Sequence, residues 1–174
     1  MSGGAWPGAR PLEIPRLLAA LNDAGVEYVV IGGFALAAHR YVRATDDLDV
    51  VPKPSRANLS RLVAAVDELG GVPTDLAGGI RPDELPLPFG LESLVAGGSW
   101  ALNTRYGVLH VMQGVPGADD YRELRAGAKR VPVPEVGDVW FVGRDQLIRM
   151  KQESDRLRDK ADVEELLRRP VEPD

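Results

Sequence analysis

A pair of glycines and a pair of aspartates stand out in the largely apolar segment VVIGGFALAAHRYVRATDDLDVV, which covers residues 29–51. Gly32 and Gly33 follow a run of β-branched residues, and Asp47 and Asp49 stand two positions apart in a second apolar run. Side chains alternate between the two faces of a strand, so both carboxylates point the same way. Like charges at this spacing repel unless a cation lies between them, which makes the pair a candidate divalent metal site. The alternative is two solvated aspartates at the end of a strand.

The glycine pair favours a second kind of chemistry. A Gly-Gly turn between a strand and a helix lets backbone amides approach a ligand, and the amino end of a helix attracts anions such as phosphate. A tight strand-to-helix turn without a ligand is the simpler interpretation. The segment matches neither GxGxxG nor GxxxxGK[ST]. Combined with the aspartates, however, the turn predicts a site for nucleotide phosphates bridged by a metal.

Composition narrows the choice of metal. The 174 residues include no cysteine and two histidines, which excludes thiolate zinc sites and clusters of imidazoles alone. A metal would therefore be held mainly by carboxylates, and Mg²⁺ or Mn²⁺ is the expected ion. The sequence has neither a signal-peptide pattern nor an apolar stretch of about 20 residues, so we expect no membrane partner and a cytoplasmic location.

The charge distribution bears on possible partners. A net charge of −5 argues against a general nucleic-acid coat, because phosphate binding needs an excess of lysine and arginine. Residues 121–160 are nevertheless locally basic. They offer a candidate face for a phosphate-rich partner, or an ordinary solvated surface; the basic side chains in question are Arg122, Arg125, Lys129 and Arg130.

The elements that position these residues alternate between helices and strands, which predicts an α/β (α+β) domain. The segment 72–99, rich in proline and glycine, is predicted to be a long loop with short pieces of structure. Helices are predicted at 11–24, 34–41, 56–69 with Ser55 as N-cap, 119–128 with Asp119 as cap, 144–153 and 158–168. Strands are predicted at 26–31, 47–51, 100–104, 108–113, 129–134 and 138–142.

The segment IGGFALAAHRYVRATDDLDVV resembles the signature of the DNA polymerase β-like nucleotidyltransferase superfamily. It is most similar to the small bacterial AbiEii/MenT-type nucleotidyltransferase toxins of toxin–antitoxin systems, which share the pattern Arg-x-Thr-x-Asp-x-Asp. The segment DQLIRMKQESDRLRDKADVEEL resembles the closing helices of that group, in which a lysine precedes a basic segment and a DxxD. The matching positions are Arg43, Thr45, Asp47, Asp49, Lys151, Arg156, Asp159 and Asp162.

The resemblance implies a small mixed β-sheet flanked by helices, the polymerase β-like fold, with helices at its C-terminal end. The expected organisation is a flexible start at 1–10, a core at 11–142, a helical segment of the same domain at 143–169 and a tail at 170–174.

The resemblance also implies roles for the matching residues. Asp47 and Asp49 would hold two divalent ions about 3.5–4 Å apart, for in-line transfer of a nucleotide with release of pyrophosphate. Lys151 would offer its charge to a phosphate, or is a solvated lysine on the polar side of a helix. The remaining implied nucleotide-binding residues are Gly32, Gly33, Arg43, Thr45, Asp159 and Asp162, of which the last two are alternatively surface acids paired with Arg156 or Arg158.

Two positions depart from the pattern. Many members carry a third carboxylate on a later strand, where YGVLHVMQ places His110. Its imidazole can bind a metal, take a proton from the attacking hydroxyl, or lie on a strand face without a role in the reaction, and a weakened or one-metal enzyme is a further option. Phe34 stands where many active members have serine, which leaves the triphosphate to backbone amides. His39 is expected to be structural.

The expected function is metal-dependent transfer of a nucleotidyl group from a nucleoside triphosphate to a hydroxyl of RNA, such as a tRNA end, or of a protein. A toxin with an antitoxin partner is the implied context. Alternatives are a weakened module that binds a nucleotide or partner, and an aminoglycoside-like small-molecule transferase whose acceptor pocket would come from 72–99.

Overall fold

The computed structural model describes residues 10–76, 79–118 and 120–171. Within these ranges, seven strands form one mixed sheet with helices packed against it, which confirms the predicted fold class. The strands are β1 (Tyr28–Ile31), β2 (Asp47–Pro52), β3 (Val72–Thr74), β4 (Trp100–Thr104), β5 (Gly107–Val111), β6 (Lys129–Val133) and β7 (Gly137–Phe141). The helices are α1 (Ile14–Asp23), α2 (Gly32–Ala35), α3 (Arg56–Glu68), α4 (Leu91–Val95), α5 (Tyr121–Ala126), α6 (Arg144–Glu153) and α7 (Leu157–Arg168), with 3₁₀ turns at Leu36–His39 and Pro82–Glu84.

The strand order is β3-β4-β5-β2-β1-β7-β6. In the centre, β2 runs antiparallel to β1 and parallel to β5, and β1 runs parallel to β7. The register aligns one residue from each of five neighbouring strands in a row across the sheet: Thr74, Ala101, His110, Asp49 and Ile31. Residues far apart in the chain are thereby placed side by side.

The core lies behind this row. Leu48 and Val50 of β2 are fully buried while Asp47 and Asp49, which alternate with them, are half-buried, as the alternation of apolar and acidic residues predicted. Helices α1 and α3 each bury an apolar stripe, and the buried residues include Leu17, Leu18, Leu21, Leu59, Leu62 and Val66. The Ser55 hydroxyl accepts a hydrogen bond from the amide of Asn58, 3.4 Å away, and so caps α3 as predicted.

Several element boundaries differ from the predictions by a few residues. The helix predicted at 34–41 begins two residues earlier, at Gly32, because the chain turns directly out of β1. The N-cap of α5 is Asp120, whose carboxylate accepts from the Glu123 amide; Asp119, the predicted cap, lies outside the described residues, as do residues 1–9 of the predicted flexible start. Segment 72–99 does carry short pieces of structure, and one of them, β3, joins the edge of the sheet.

The C-terminal helices leave the sheet beside the glycine turn. Because β1 and β7 are parallel neighbours, α2 and α6 begin at the same edge of the sheet. A 2.7 Å hydrogen bond from His39 Nε2 to the Val142 carbonyl oxygen joins the two connections. This brings residues after 143 next to residues 32–49. In the part of the chain that the structure describes, every helix is too short or too polar to span a bilayer.

Candidate active site

Asp47, Asp49 and His110 meet on one face of the sheet. Asp49 of β2 pairs in register with His110 of β5, and the two side chains are joined by a 2.9 Å hydrogen bond between Asp49 Oδ1 and His110 Nδ1. The same ring nitrogen lies 3.6 Å from Asp47 Oδ2. One ligand atom from each of the three side chains lies within 4.8 Å of the other two. The group could therefore bind a metal ion, and it combines the two predicted metal ligands with the residue at the third-carboxylate position.

The charges of Asp47, Asp49 and His110 shift the pKa values of Asp47 and His110. Burial, followed by the negative charge of Asp49, raises the pKa of Asp47 above its ordinary value. Burial alone would lower the pKa of His110, but the hydrogen bond with Asp49 and the charges of both aspartates outweigh it and raise that pKa. Two carboxylates and an imidazole crowded in this way are stabilised by positive charge. The donor set therefore fits a divalent cation, which would neutralise the carboxylate repulsion.

Gly32 permits the close approach of Asp49 to the backbone. Its φ of +71° lies in the left-handed region that favours glycine. A Cβ atom added there would lie 2.0 Å from Asp49 Oδ2, so no other residue fits without displacing that carboxylate. The glycine turn predicted to seat phosphates thus also determines where a predicted metal ligand lies.

Gly33 is packed against Arg43 and Thr45, the two residues of the Arg-x-Thr pattern. A Cβ added at Gly33 would lie 2.9 Å from Thr45 Oγ1 and 3.2 Å from Arg43 Nη1. The Thr45 hydroxyl donates a 3.1 Å hydrogen bond to the backbone carbonyl of Asp47. Arg43 and Thr45 therefore connect the glycine turn to the start of β2, which carries the acidic pair.

A buried ion-pair network links this turn to the C-terminal helices. Lys151 of α6 donates to Asp159 Oδ1 at 3.0 Å and to Asp162 Oδ2 at 2.8 Å, both on α7. Arg43 donates to both oxygens of Asp162, from Nε to Oδ1 at 2.8 Å and from Nη2 to Oδ2 at 2.7 Å. Arg156 Nε donates to Asp159 Oδ2 at 2.9 Å. We call these five side chains the buttress.

The burial of the buttress contradicts the interpretation of Lys151, Asp159 and Asp162 as surface residues. Lys151, Asp159 and Asp162 are 5%, 3% and 1% exposed, so they are neither a solvated lysine nor surface acids. Burying charges is unfavourable without partners, and the pairing here is nearly complete. Burial alone would raise the pKa values of both aspartates, but hydrogen bonds hold them below their ordinary values, from Ser154 and Lys151 to Asp159 and from Arg43 and Lys151 to Asp162. The Lys151 ammonium group, expected at a phosphate, is directed to these two carboxylates instead.

Arg156 is a functional candidate to which the sequence analysis gave no role. Its side chain is 76% exposed, and its Nε is fixed by Asp159 and by the Ser154 hydroxyl at 3.1 Å. Its charge acts on both Asp47 and His110 and lowers their pKa values, although other groups dominate. The guanidinium group therefore stands near the acidic group and is open to solvent. The sequence feature that could have indicated this role is the position of Arg156 in the basic segment between Lys151 and the DxxD.

The other predicted features lie around the site. Phe34, in the place of the usual serine, packs on Phe141 with ring centroids 5.5 Å apart, so its side chain belongs to the core. Three of the four candidate basic residues make contacts within the protein: Arg125 stacks on Trp140, Arg130 pairs with Asp138, and Lys129 donates to the Ala38 carbonyl. Arg122 is exposed.

A cavity of about 470 Å³ lies elsewhere, where β3 and β4 meet the end of α3. Among the residues that line it are Arg10, Gly70, Asn103 and Arg105, and it includes none of the acidic group. The candidate site is therefore the group of Asp47, Asp49 and His110, whose ligand atoms lie within 4.8 Å of one another.

Comparison with solved structures identifies the fold. The antibiotic-resistance factor ANT(2'')-Ia in solution matches with a TM-score of 0.52 at 16% identity, over 88% of this chain and 79% of that one. The crystal structure of ANT(2'')-Ia in complex with adenylyl-2''-tobramycin matches with the same TM-score and identity, over 88% and 84% of the two chains. An antigenic nucleotidyltransferase-like protein from Paracoccidioides brasiliensis matches with a TM-score of 0.51 at 14% identity, over 90% and 76%.

The other comparisons gave no relative. No protein-family model matches the chain, and no curated protein matches it. At these identities the structural likeness concerns the fold, and AbiEii/MenT-type proteins are not among the structures described above. The mixed sheet and its helices match these structures, and this chain has the nucleotidyltransferase fold.

Proposed function

We propose that the protein is a metal-dependent nucleotidyltransferase that moves a nucleoside monophosphate from a nucleoside triphosphate to a hydroxyl group. The observation that carries this proposal is the convergence of Asp47, Asp49 and His110 next to the glycine turn. Enzymes that catalyse in-line phosphoryl transfer use carboxylates to hold divalent ions beside the bound phosphates.

Each part of the site has a task in this reaction. Asp47, Asp49 and His110 would hold the ion, which when bound neutralises charge on the triphosphate and lowers the pKa of the attacking hydroxyl. The backbone amides of Gly32 and Gly33 would contact the triphosphate, because the first amides of a helix have no partners within it.

Within the buttress, we propose that Arg156 contacts the nucleotide directly and that the other members position the groups around it. Asp159 fixes Nε of Arg156, which leaves the outer nitrogens of that guanidinium group to bind a phosphate or the departing pyrophosphate. Arg43 is held by Asp162 and lies against Gly33, so it positions the turn. Lys151 holds both aspartates and is therefore a positioning residue.

The acceptor we propose is a hydroxyl of RNA, such as a tRNA end, or of a protein, as in an AbiEii/MenT-type toxin paired with an antitoxin. Segment 75–99 leaves β3 after Thr74, which is level with His110 in the sheet register, and returns at Trp100, which pairs with Val111. Three strand spacings of about 4.8 Å separate β3 from β2. This segment is therefore within reach of the acceptor side of the site.

A small-molecule hydroxyl, as on an aminoglycoside, is the second candidate acceptor. It is favoured by the likeness to ANT(2'')-Ia, a structure of which contains adenylyl-2''-tobramycin. Segment 75–99 would then supply the acceptor pocket.

The test is transfer of label from α-³²P nucleoside triphosphates with Mg²⁺ or Mn²⁺, offered separately to total RNA, a cell lysate and a panel of aminoglycosides. Asp47→Asn is expected to abolish labelling. Asp46→Asn, which removes the same charge from an exposed neighbour, is expected to leave it intact. Tight binding of the triphosphate without Asp47-dependent labelling of any acceptor would contradict the enzyme and favour a binding module.

A further inference from the structure

We infer that the Asp47–Asp49–His110 group selects divalent transition-metal ions, such as Mn²⁺, over Mg²⁺. This inference rests on the proposed function, since it concerns the ion that the same site would hold. It goes further because it gives the histidine at the third-carboxylate position a defined chemical effect.

The imidazole nitrogen lies inside the donor set. His110 Nδ1 is 2.9 Å from Asp49 Oδ1 and 3.6 Å from Asp47 Oδ2. An ion held by both carboxylates would therefore meet this nitrogen as well.

The fold prevents the ring from leaving the site. His110 stands between Leu109 and Val111, both fully buried on the opposite face of β5. Asp49 stands in the same way between Leu48 and Val50 of β2, and the two strands are paired in register. A slip of one residue in either strand would expose two core side chains, so the register is strongly determined. The ring is thus held on the same face of the sheet as both carboxylates.

Nitrogen and oxygen donors favour different ions. Mg²⁺ demands oxygen ligands in near-ideal octahedral geometry and gives up its waters reluctantly. Imidazole suits the later divalent metals better than it suits Mg²⁺, and Mn²⁺ begins the first-row series of increasing affinity for such sites and also acts in metal-dependent catalysis. Replacing one carboxylate by a neutral ring also removes a negative charge, which weakens Mg²⁺ binding most because that interaction depends chiefly on charge.

The test compares the wild-type chain with His110→Asp, which restores the carboxylate. The dissociation constants of Mn²⁺ and Mg²⁺ are measured by calorimetry on the metal-free protein at one fixed pH, with no nucleotide present. Loss of an outer partner of a metal ligand commonly costs about 10- to 100-fold in affinity, and loss of the nitrogen ligand should cost at least as much. We expect the preference for Mn²⁺ over Mg²⁺ to fall by about tenfold or more in the variant.

A second measurement needs no variant. Pulsed electron paramagnetic resonance on Mn²⁺ bound to the wild-type chain is expected to show nitrogen coupling that changes on ¹⁵N-histidine labelling. The chain's other histidine, His39, donates to the Val142 carbonyl and serves as an internal control in His110→Asp, where the coupling should vanish.

The outcomes separate the inference from the proposed function. Mn²⁺ binding that depends on Asp47 but shows no nitrogen coupling, or an unchanged ion preference in His110→Asp, would overturn the inference and leave the nucleotidyltransferase proposal standing. Absence of any divalent binding to either protein would overturn both. A shifted preference together with histidine coupling supports the inference.

Discussion

Gly32→Ala is the sharpest perturbation of this site. The substitution has two costs that can be calculated separately. An alanine at φ +71° is destabilised by about 1–2 kcal/mol relative to glycine, and the lower entropy of the unfolded chain offsets about 0.4–1 kcal/mol of this. The new methyl group would also lie 2.0 Å from Asp49 Oδ2, where ordinary contacts begin near 3.4 Å. Asp49 must therefore move by more than about 1 Å, and a displacement of that size commonly costs about 100-fold in rate.

Gly25→Ala is the matched control. Gly25 has the same φ of +71°, but its added Cβ would meet only Arg61, at 3.6 Å, which is an ordinary contact. We expect the two variants to lose similar stability in urea denaturation, whereas only Gly32→Ala loses Mn²⁺ affinity and at least about 100-fold in nucleotidyl transfer. Equal metal binding and equal transfer in the two variants would refute the argument that Gly32 is required by Asp49.

Further predictions concern the buttress. Lys151→Met is expected to destabilise the fold by about 3–5 kcal/mol, because it leaves two buried carboxylates without their lysine; Lys160→Met, which breaks an exposed pair, should cost at most about 1 kcal/mol in the same denaturation experiment. Arg156→Ala should weaken triphosphate binding by about 10- to 100-fold in calorimetry, whereas Arg158→Ala, an equal change of charge on the exposed side of α7, should not. Burial would raise the pKa of Asp162, but its hydrogen bonds hold the folded value below the unfolded one of about 3.9. The resulting stability is therefore present above about pH 4 and is lost as the pH falls below it, and Asp162→Asn should flatten this acid limb of the unfolding curve.

The sequence predicted the parts of the site whose cause is local. Alternation along β2 put Asp47 and Asp49 on one face, and the β-branched run before Gly32 marked the strand that leads into the turn. It also assigned the mixed α/β class. These features depend on neighbours within a few positions, which a single sequence displays.

Contacts between distant segments could not be predicted from local sequence patterns. The pairing of Asp49 with His110 depends on the register of two strands separated by 61 positions. The burial of Lys151 depends on which face of α6 meets α7, and the polar residues on that face are equally compatible with solvent. The alternative of a solvated Lys151 was therefore wrong, whereas its role at a phosphate stays a prediction.

The contact between Arg43 and Asp162 spans 119 positions of the chain. During synthesis from the amino end, the strands that carry Asp47, Asp49 and His110 emerge well before α7 does. Until α7 docks, Arg43 lacks the carboxylate that holds it against Gly33, and contacts between such distant positions form late because closing a long loop costs entropy. We therefore expect the acidic group to be assembled early and the glycine turn to be fixed last, so that a nascent or truncated chain ending before Asp162 carries the metal ligands but transfers no nucleotide.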